Sequence, residues 1–441
     1  MKQLLFVLVL TMAFSVRAQY TISGTFSPTK DYTWLIAYGL QPGTQGYVAD
    51  TAINDGKFSM QIPPNAPAGM YRLVYGIPQE EFYFDVLYNG KENIQFNFDA
   101  QKGISFVSSE ENKIFNAYFR EITGVKQEFM DFYASGKTDT DKEAYKKLGE
   151  KLEDIQTAYE QSTKNMMVHD FVKANRPYIP SEYETTETYW QHKKDQFFKH
   201  LDVKNPILQA SGFLTDKLTN YVFTPISTER ISKTETEKTL QENIRTIHEK
   251  LKDTGSSYQM HIFHKIWNIA NASGFNDTAD FVFTTYLKNL AQITDNQKII
   301  ADIEVNNRIR NGAKAPEITW KDGNTTKKLS EWEDAECYVV IFWSSTCSHC
   351  LKELPPLHKK LTSNDDVKVL AVGLEANEAN WKIESAKLDH FEHVIALGKW
   401  ESEYAKAYAI QRTPTYFILD KEKRIIANPQ TDKEVVDFLN N

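Results

Sequence analysis

The sequence predicts a multidomain chain: an N-terminal antiparallel β-sandwich, a central all-α region and a C-terminal α/β fold. Three observations carry this reading. Short runs alternating apolar and polar residues, separated by Gly, Pro and Asn clusters, fill residues 20–107. Apolar residues at helical spacing on a strongly charged background fill 109–310. From residue 312 to 441, β-branched runs alternate with helical ones. For 441 residues the length prior is about three domains of roughly 150 residues each. An apolar content of 41% and an aromatic content of 13% fit globular cores rather than a disordered chain. The formal net charge is −8 and there is no long Lys/Arg block, which argues against a nucleic-acid partner.

Residues 1–18 read as a secretory signal peptide. Lys2 precedes the apolar run Leu4–Val16, and Val16 and Ala18 are the small residues of a cleavage site after Ala18. The run is too short to span a bilayer comfortably; an uncleaved anchor is the other reading. No cysteine stands near the cut, which excludes a lipoprotein signal. No later stretch reaches about 18 apolar residues, so the expectation is an exported protein of the periplasm or cell envelope, without a transmembrane segment once the signal is removed.

In the β-rich part, strands are expected at 20–26, 34–38, 57–62, 70–75, 81–88 and 93–98. Asp55-Gly56 and Asn89-Gly90 have the chemistry of tight hairpin turns, because these residues tolerate positive φ. The aromatics Tyr71, Tyr75, Phe82, Tyr83 and Phe84 read as core, with a binding groove as the sharper alternative. In the helical part, Ser109 opens a helix through Ile122. A second is expected over 142–171, with others around 188–201, 236–252, 260–272, 280–292 and 296–311. His261 and His264 share a helix face, but no third ligand stands at metal-site spacing, so no metal is expected.

All three cysteines, Cys337, Cys347 and Cys350, fall in the last quarter. A disulfide-stapled scaffold would spread an even number along the chain; this pattern favours catalytic sulfur. Cys347 follows the apolar strand Cys337–Phe342 across a tight turn and precedes a helix. There the unpaired N–H groups and helix dipole favour a thiolate. Cys350 lies one turn further in and can reach back to close a redox-active disulfide with Cys347; no other cofactor is implied. Cys347 is therefore the expected attacking thiolate and Cys350 the more buried resolving thiol. Glu353 shares the helix face of Cys350. His349, between the cysteines, either stabilises the thiolate or is an exposed polar residue without effect. Pro355 and Pro356 should bend the helix. Cys337, at the start of the central strand, reads as a buried spectator.

Residues 312–428 resemble the thioredoxin-like thiol–disulfide oxidoreductases of the TlpA/ResA/DsbE type. The resemblance runs through Gly312–Pro316, Leu329–Trp332, Phe342-Trp343, Cys347-x-x-Cys350-x-x-Glu353-x-Pro355, Val372-Gly373 and Thr413–Asp420. It implies a thioredoxin-like fold and a catalytic set of Cys347, Cys350 and Glu353, the carboxylate assisting proton movement. It also implies a cis peptide at Pro414, which leaves the Thr413 backbone free to pair with a substrate strand. Substrate binding is then expected at Trp343, His349, Thr413 and Pro414, with Trp343 and Thr346 on the rim. The family usually has Trp at the position of Thr346, a departure that bears on partner preference and not on the cysteines. The expected partners are disulfide-bearing exported proteins and a thiol electron donor not identified by the sequence.

Two other functions stay open at this stage. A peroxiredoxin-like peroxidase wants Ser or Thr three residues before its cysteine, which Ser344 supplies, and Pro four further back, where Val340 stands instead. A non-enzymatic binding protein with a redox-sensing domain would account for residues 20–310, for which the sequence offers no chemistry.

Overall fold

The computed structural model describes residues 20–136, 141–224, 232–323, 325–333, 335–364 and 366–440. The expected signal peptide at 1–18 lies outside them. Two compact units divide between Leu290 and Ala291, whereas the sequence reading placed boundaries near 108 and 311. The first unit therefore contains both the β-rich and most of the helical stretch.

Eight strands open the first unit: β1 (Thr21–Ser27), β2 (Trp34–Gln41), β3 (Thr44–Ala52), β4 (Lys57–Gln61), β5 (Gly69–Val74), β6 (Tyr83–Tyr88), β7 (Ile94–Asp99) and β8 (Gly103–Phe106). They form two four-stranded sheets, ordered β4-β1-β7-β8 and β3-β2-β5-β6. Alternate residues, among them Ile22, Phe26, Leu35, Phe58, Tyr71, Leu73 and Phe96, share one buried core between the sheets. The sandwich is not wholly antiparallel: β1 pairs with β7 in parallel, Ile22 opposite Ile94. The reason lies in the turns. Asp55 and Gly56 do adopt φ of 47° and 72°, but this turn carries the chain from β3 in one sheet to β4 in the other. The Asn89-Gly90 turn does the same between β6 and β7. Both are crossings, not hairpins within a sheet. The edge strands β3 and β8 have few buried residues, and the alternation that marked their neighbours is weak in them.

Eleven α-helices follow among the described residues, the last of them in the second unit: α1 (Glu110–Ala134), α2 (Lys142–Ser162), α3 (Val168–Ala174), α4 (Thr186–Asp195), α5 (Pro206–Gln209), α6 (Gly212–Phe223), α7 (Lys233–Leu251), α8 (Ser256–Ala272), α9 (Asn276–Val282), α10 (Lys288–Ile293) and α11 (Gln297–Ile309). The helix expected over 142–171 is two. Buried Glu111 of α1 accepts the N–H groups of Met167 and Val168 at 3.2 and 2.9 Å, which caps the start of α3 and ends any continuation from α2. The helices dock on the outer face of the second sheet through Asn112, which accepts from Leu87 N–H at 2.8 Å and donates to Leu87 O at 2.7 Å.

The second unit has a small hairpin, β9 (Thr319–Asp322) with β10 (Thr325–Lys328), and a five-stranded sheet. In chain order its elements are β11 (Cys337–Trp343), α12 (Ser348–Leu361), β12 (Val367–Glu375), α13 (Ala379–Ser385), β13 (Glu392–Leu397), α14 (Glu403–Ala407), β14 (Thr415–Asp420), β15 (Ile425–Ala427) and α15 (Asp432–Leu439). The sheet order is β13-β12-β11-β14-β15. β11, β12 and β13 are parallel; β14 runs against them, and β15, antiparallel to β14, runs in their direction. β11 is central and buried on both faces. Val339, Ile341 and Trp343 face α12 and α15, while Tyr338, Val340 and Phe342 face Trp320, Trp332 and Tyr408. Among the described residues no helix is long and apolar enough to cross a membrane.

Candidate active site

β11 ends at Trp343, and a turn of three residues delivers Cys347 to the N-cap of α12. Its sulfur accepts the Cys350 N–H at 3.2 Å, doing what a Ser or Asp side chain does at an ordinary cap. Cys347 is partly exposed; Cys350, one turn along, is fully buried against Trp343, Leu354 and Leu357. All three cysteines are free thiols.

Environment splits the pair. Burial opposes ionisation of Cys347, but the Cys350 thiol, the Thr413 hydroxyl and the backbone N–H groups of Cys350 and His349 outweigh it and bring the Cys347 thiol below its ordinary range. Burial, then its hydrogen bond to Cys347, push the Cys350 thiol up to about 12. One sulfur is thus prepared to carry charge while the other holds the proton.

The facing loop comes from the start of β14. The Thr413–Pro414 peptide is cis, and Thr413 O lies 3.4 Å from Cys347 Sγ, where it accepts from the neutral thiol. Two residues on, fully buried Tyr416 donates from its hydroxyl to Glu353 Oε2 at 3.2 Å. Burial and the Glu353 charge hold the Tyr416 hydroxyl well above the usual phenol range, so it stays a donor. Glu353 is therefore tied to the strand that carries Pro414.

Residues 310–437 match the Redoxin family. Those residues form a thioredoxin-like redoxin domain. Over 102 residues the chain is 26% identical to the thiol-disulfide oxidoreductase ResA of Bacillus thuringiensis subsp. konkukian and, equally, to ResA of Bacillus cereus. Each match covers 22% of this chain and 58% of the relative, so the chain spans somewhat over half the length of these curated relatives. Among solved structures, the thioredoxin domain of a thiol-disulfide oxidoreductase from Bacteroides vulgatus is 25% identical, with a TM-score of 0.27, covering 30% of this chain and 98% of that one. A domain of a possible thiol-disulfide isomerase from Cytophaga hutchinsonii is 29% identical, with a TM-score of 0.27, covering 30% and 90%.

Within the redoxin domain, Cys347, Cys350, Thr413 and Pro414 come together, and Glu353 joins them through Tyr416. One expectation from the sequence changes. Trp343 is not a rim residue: it is 1% exposed. Strand alternation puts it on the α12 face of β11 with Val339 and Ile341, where it packs on Cys350. Thr346 is exposed. His349 reaches Cys347 through its backbone N–H, while the imidazole is exposed. Pro355 and Pro356 stand inside α12 without ending it. Cys337 sits at the opposite end of β11, its thiol pushed up to about 11 by burial.

The sequence reading missed Glu375. β12 runs on to Glu375 and carries this carboxylate, 3% exposed, to the foot of the cysteine turn. There it accepts the Ser345 N–H. Gly373 makes room beside it: a Cβ at that position would lie 2.5 Å from the Trp381 ring. Trp343 Nε1, Ser345 Oγ and Trp381 Nε1 are buried without hydrogen-bond partners among the described residues. The available signal was a carboxylate ending an apolar parallel strand beside the one that bears the CxxC. Among the described residues no group of three or more His, Cys, Asp and Glu side chains could hold a metal.

Proposed function

We propose that this protein is an exported thiol–disulfide oxidoreductase that reduces or exchanges disulfides in proteins of the cell envelope. One observation carries the reading: the asymmetry between the two sulfurs. Cys347 is partly exposed and favoured as a thiolate, while Cys350 beneath it is buried and keeps its proton.

The Cys347 thiolate attacks one sulfur of the substrate disulfide. The S–S bond breaks, a Cys347–substrate mixed disulfide forms, and the departing substrate thiolate takes up a proton. Cys350 then loses its proton and attacks Cys347 Sγ. That step closes the Cys347–Cys350 disulfide and releases the second substrate thiol. Two electrons pass to the substrate, and an external thiol donor returns the site to the dithiol. Glu353, one turn after Cys350 on α12 and held by Tyr416, is the carboxylate that would serve the Cys350 proton. The Thr413 backbone beside Cys347 offers the edge against which an extended substrate segment would lie. Export rests on the leader-like sequence 1–18.

Reduction of insulin disulfides by dithiothreitol should be accelerated by the intact chain and not by Cys347→Ser. Cys350→Ser should accumulate a Cys347-linked mixed disulfide in the envelope of the native host, which mass spectrometry would identify. Absence of any exchange from a folded protein with titratable thiols would refute the reading.

A further inference from the structure

The first unit holds a cleft of about 660 Å³, within the size range of sites that enclose a small-molecule ligand. Its floor is the outer face of sheet β3-β2-β5-β6. There Arg72 and Asp85 stand opposite one another on β5 and β6, and the guanidinium donates from Nε and Nη2 to the two carboxylate oxygens at 2.9 Å each. The guanidinium carbon also lies 3.8 Å from the centroid of the Tyr83 ring. Arg72 is thus fixed in position, its remaining N–H donors uncommitted to Asp85.

Helices make the other walls. α6 starts at Gly212, close enough that a Cβ there would lie 3.6 Å from both Arg72 Nη2 and Asp85 Oδ2. α8 supplies His261 and Lys265, one turn apart. The β2–β3 hairpin closes the rim by resting on α8 at Gly43. That residue has φ +76°, and a Cβ on it would come within 2.9 Å of Ser257 O and 3.1 Å of His261 Cβ, so only glycine permits the closure. Phe115 and Phe213 add apolar wall.

The charges define what fits. Arg72 is matched by Asp85. Burial takes His261 below its ordinary range, leaving it neutral at pH 7. Two charges remain, Asp216 on α6 and Lys265 on α8. Burial raises the Asp216 carboxyl against the opposing Lys265 and Arg72 charges, and neither Asp216 nor Lys265 makes an ion pair among the described residues. A simple anion would meet Lys265 and Arg72 but also Asp216, and a simple cation would meet the reverse. A ligand carrying both charges satisfies both.

We propose that this cleft binds a small zwitterion of amino-acid or short-peptide chemistry, its carboxylate on Lys265 and Arg72, its ammonium on Asp216 and its apolar side chain against Phe115 and Phe213. Isothermal titration of the full chain with L-phenylalanine, the dipeptide Ala-Phe, Ala-Phe amide and N-acetyl-Ala-Phe tests this. Binding of the free amino acid or of the dipeptide tells the two sources apart. Blocking either terminus of the dipeptide should weaken binding by about tenfold or more. Lys265→Gln should reduce the discrimination against the amide, Arg72 remaining, and Asp216→Asn should abolish the discrimination against the acetylated form. Both side chains are exposed, so an unchanged thermal melt should accompany both variants. No heat with either unblocked probe at millimolar concentration would overturn the proposal. So would equal binding of blocked and free dipeptide, or binding indifferent to both substitutions.

Discussion

The Ser345 N–H donates to the buried Glu375 carboxylate, which ties the turn bearing Cys347 to the end of the neighbouring parallel strand. Removing the acceptor leaves a buried donor unsatisfied, at a cost of about 1–3 kcal/mol. Glu375→Ala should therefore lower stability by that amount in urea denaturation. Glu375→Gln keeps an oxygen that can accept and should recover most of the loss. Equal destabilisation by both variants would show that this hydrogen bond is not what the carboxylate provides.

The two thiols should react with iodoacetamide on separate pH scales. The thiolate is the nucleophile, so the Cys347 rate falls as pH drops through its own midpoint, which lies below the ordinary thiol value of about 8.5. Cys350 should stay inert until the pH approaches about 12. Mass-resolved alkylation of the reduced protein separates the two curves; coincident midpoints would refute the assigned roles.

Trp343 should behave as core. Trp343→Ala should cost about 3–5 kcal/mol of stability, read by chemical denaturation. At temperatures where the variant is folded, KM for insulin should be nearly unchanged. A rim residue would give the reverse pattern, a raised KM with stability preserved.

Gly373→Ala puts a methyl group 2.5 Å from Trp381 Cδ1 and Nε1. Overpacking of this kind costs about 1–3 kcal/mol. The displaced indole should also shift its fluorescence, provided the other tryptophans are accounted for by a Trp381→Phe control. A variant as stable as the parent would mean that the Trp381 ring moves aside freely.

The sequence made the last quarter of the chain most legible. The continuous apolar run of β11, the cysteine spacing and the Thr413-Pro414 pair are local signals, each readable from neighbours in sequence. Glu375 and Tyr416 were not readable, because their importance depends on pairing across strands: Gly373 opposite Trp343, and Tyr416 opposite Ile341. Trp343 was misread because its place in the motif was weighed above its parity on the strand. In the first unit the β-class was plain, yet the parallel β1–β7 pair was hidden: Asp55-Gly56 and Asn89-Gly90 specify a backbone bend and not which sheet the next strand joins. The helix break before α3 escaped for a similar reason, since its cap comes from Glu111, more than fifty residues earlier.

The divided thiols also set how the site exchanges protons with electrons. Between the depressed Cys347 midpoint and the raised one of Cys350, the reduced pair carries a single proton. Reduction of the disulfide in that interval takes up two electrons and only one proton. The midpoint potential should then fall by about 30 mV per pH unit, half the slope of an ordinary dithiol that gains two protons. Within that interval, this domain would keep a steadier potential than an ordinary dithiol substrate, and the driving force between them would change with the acidity of the compartment.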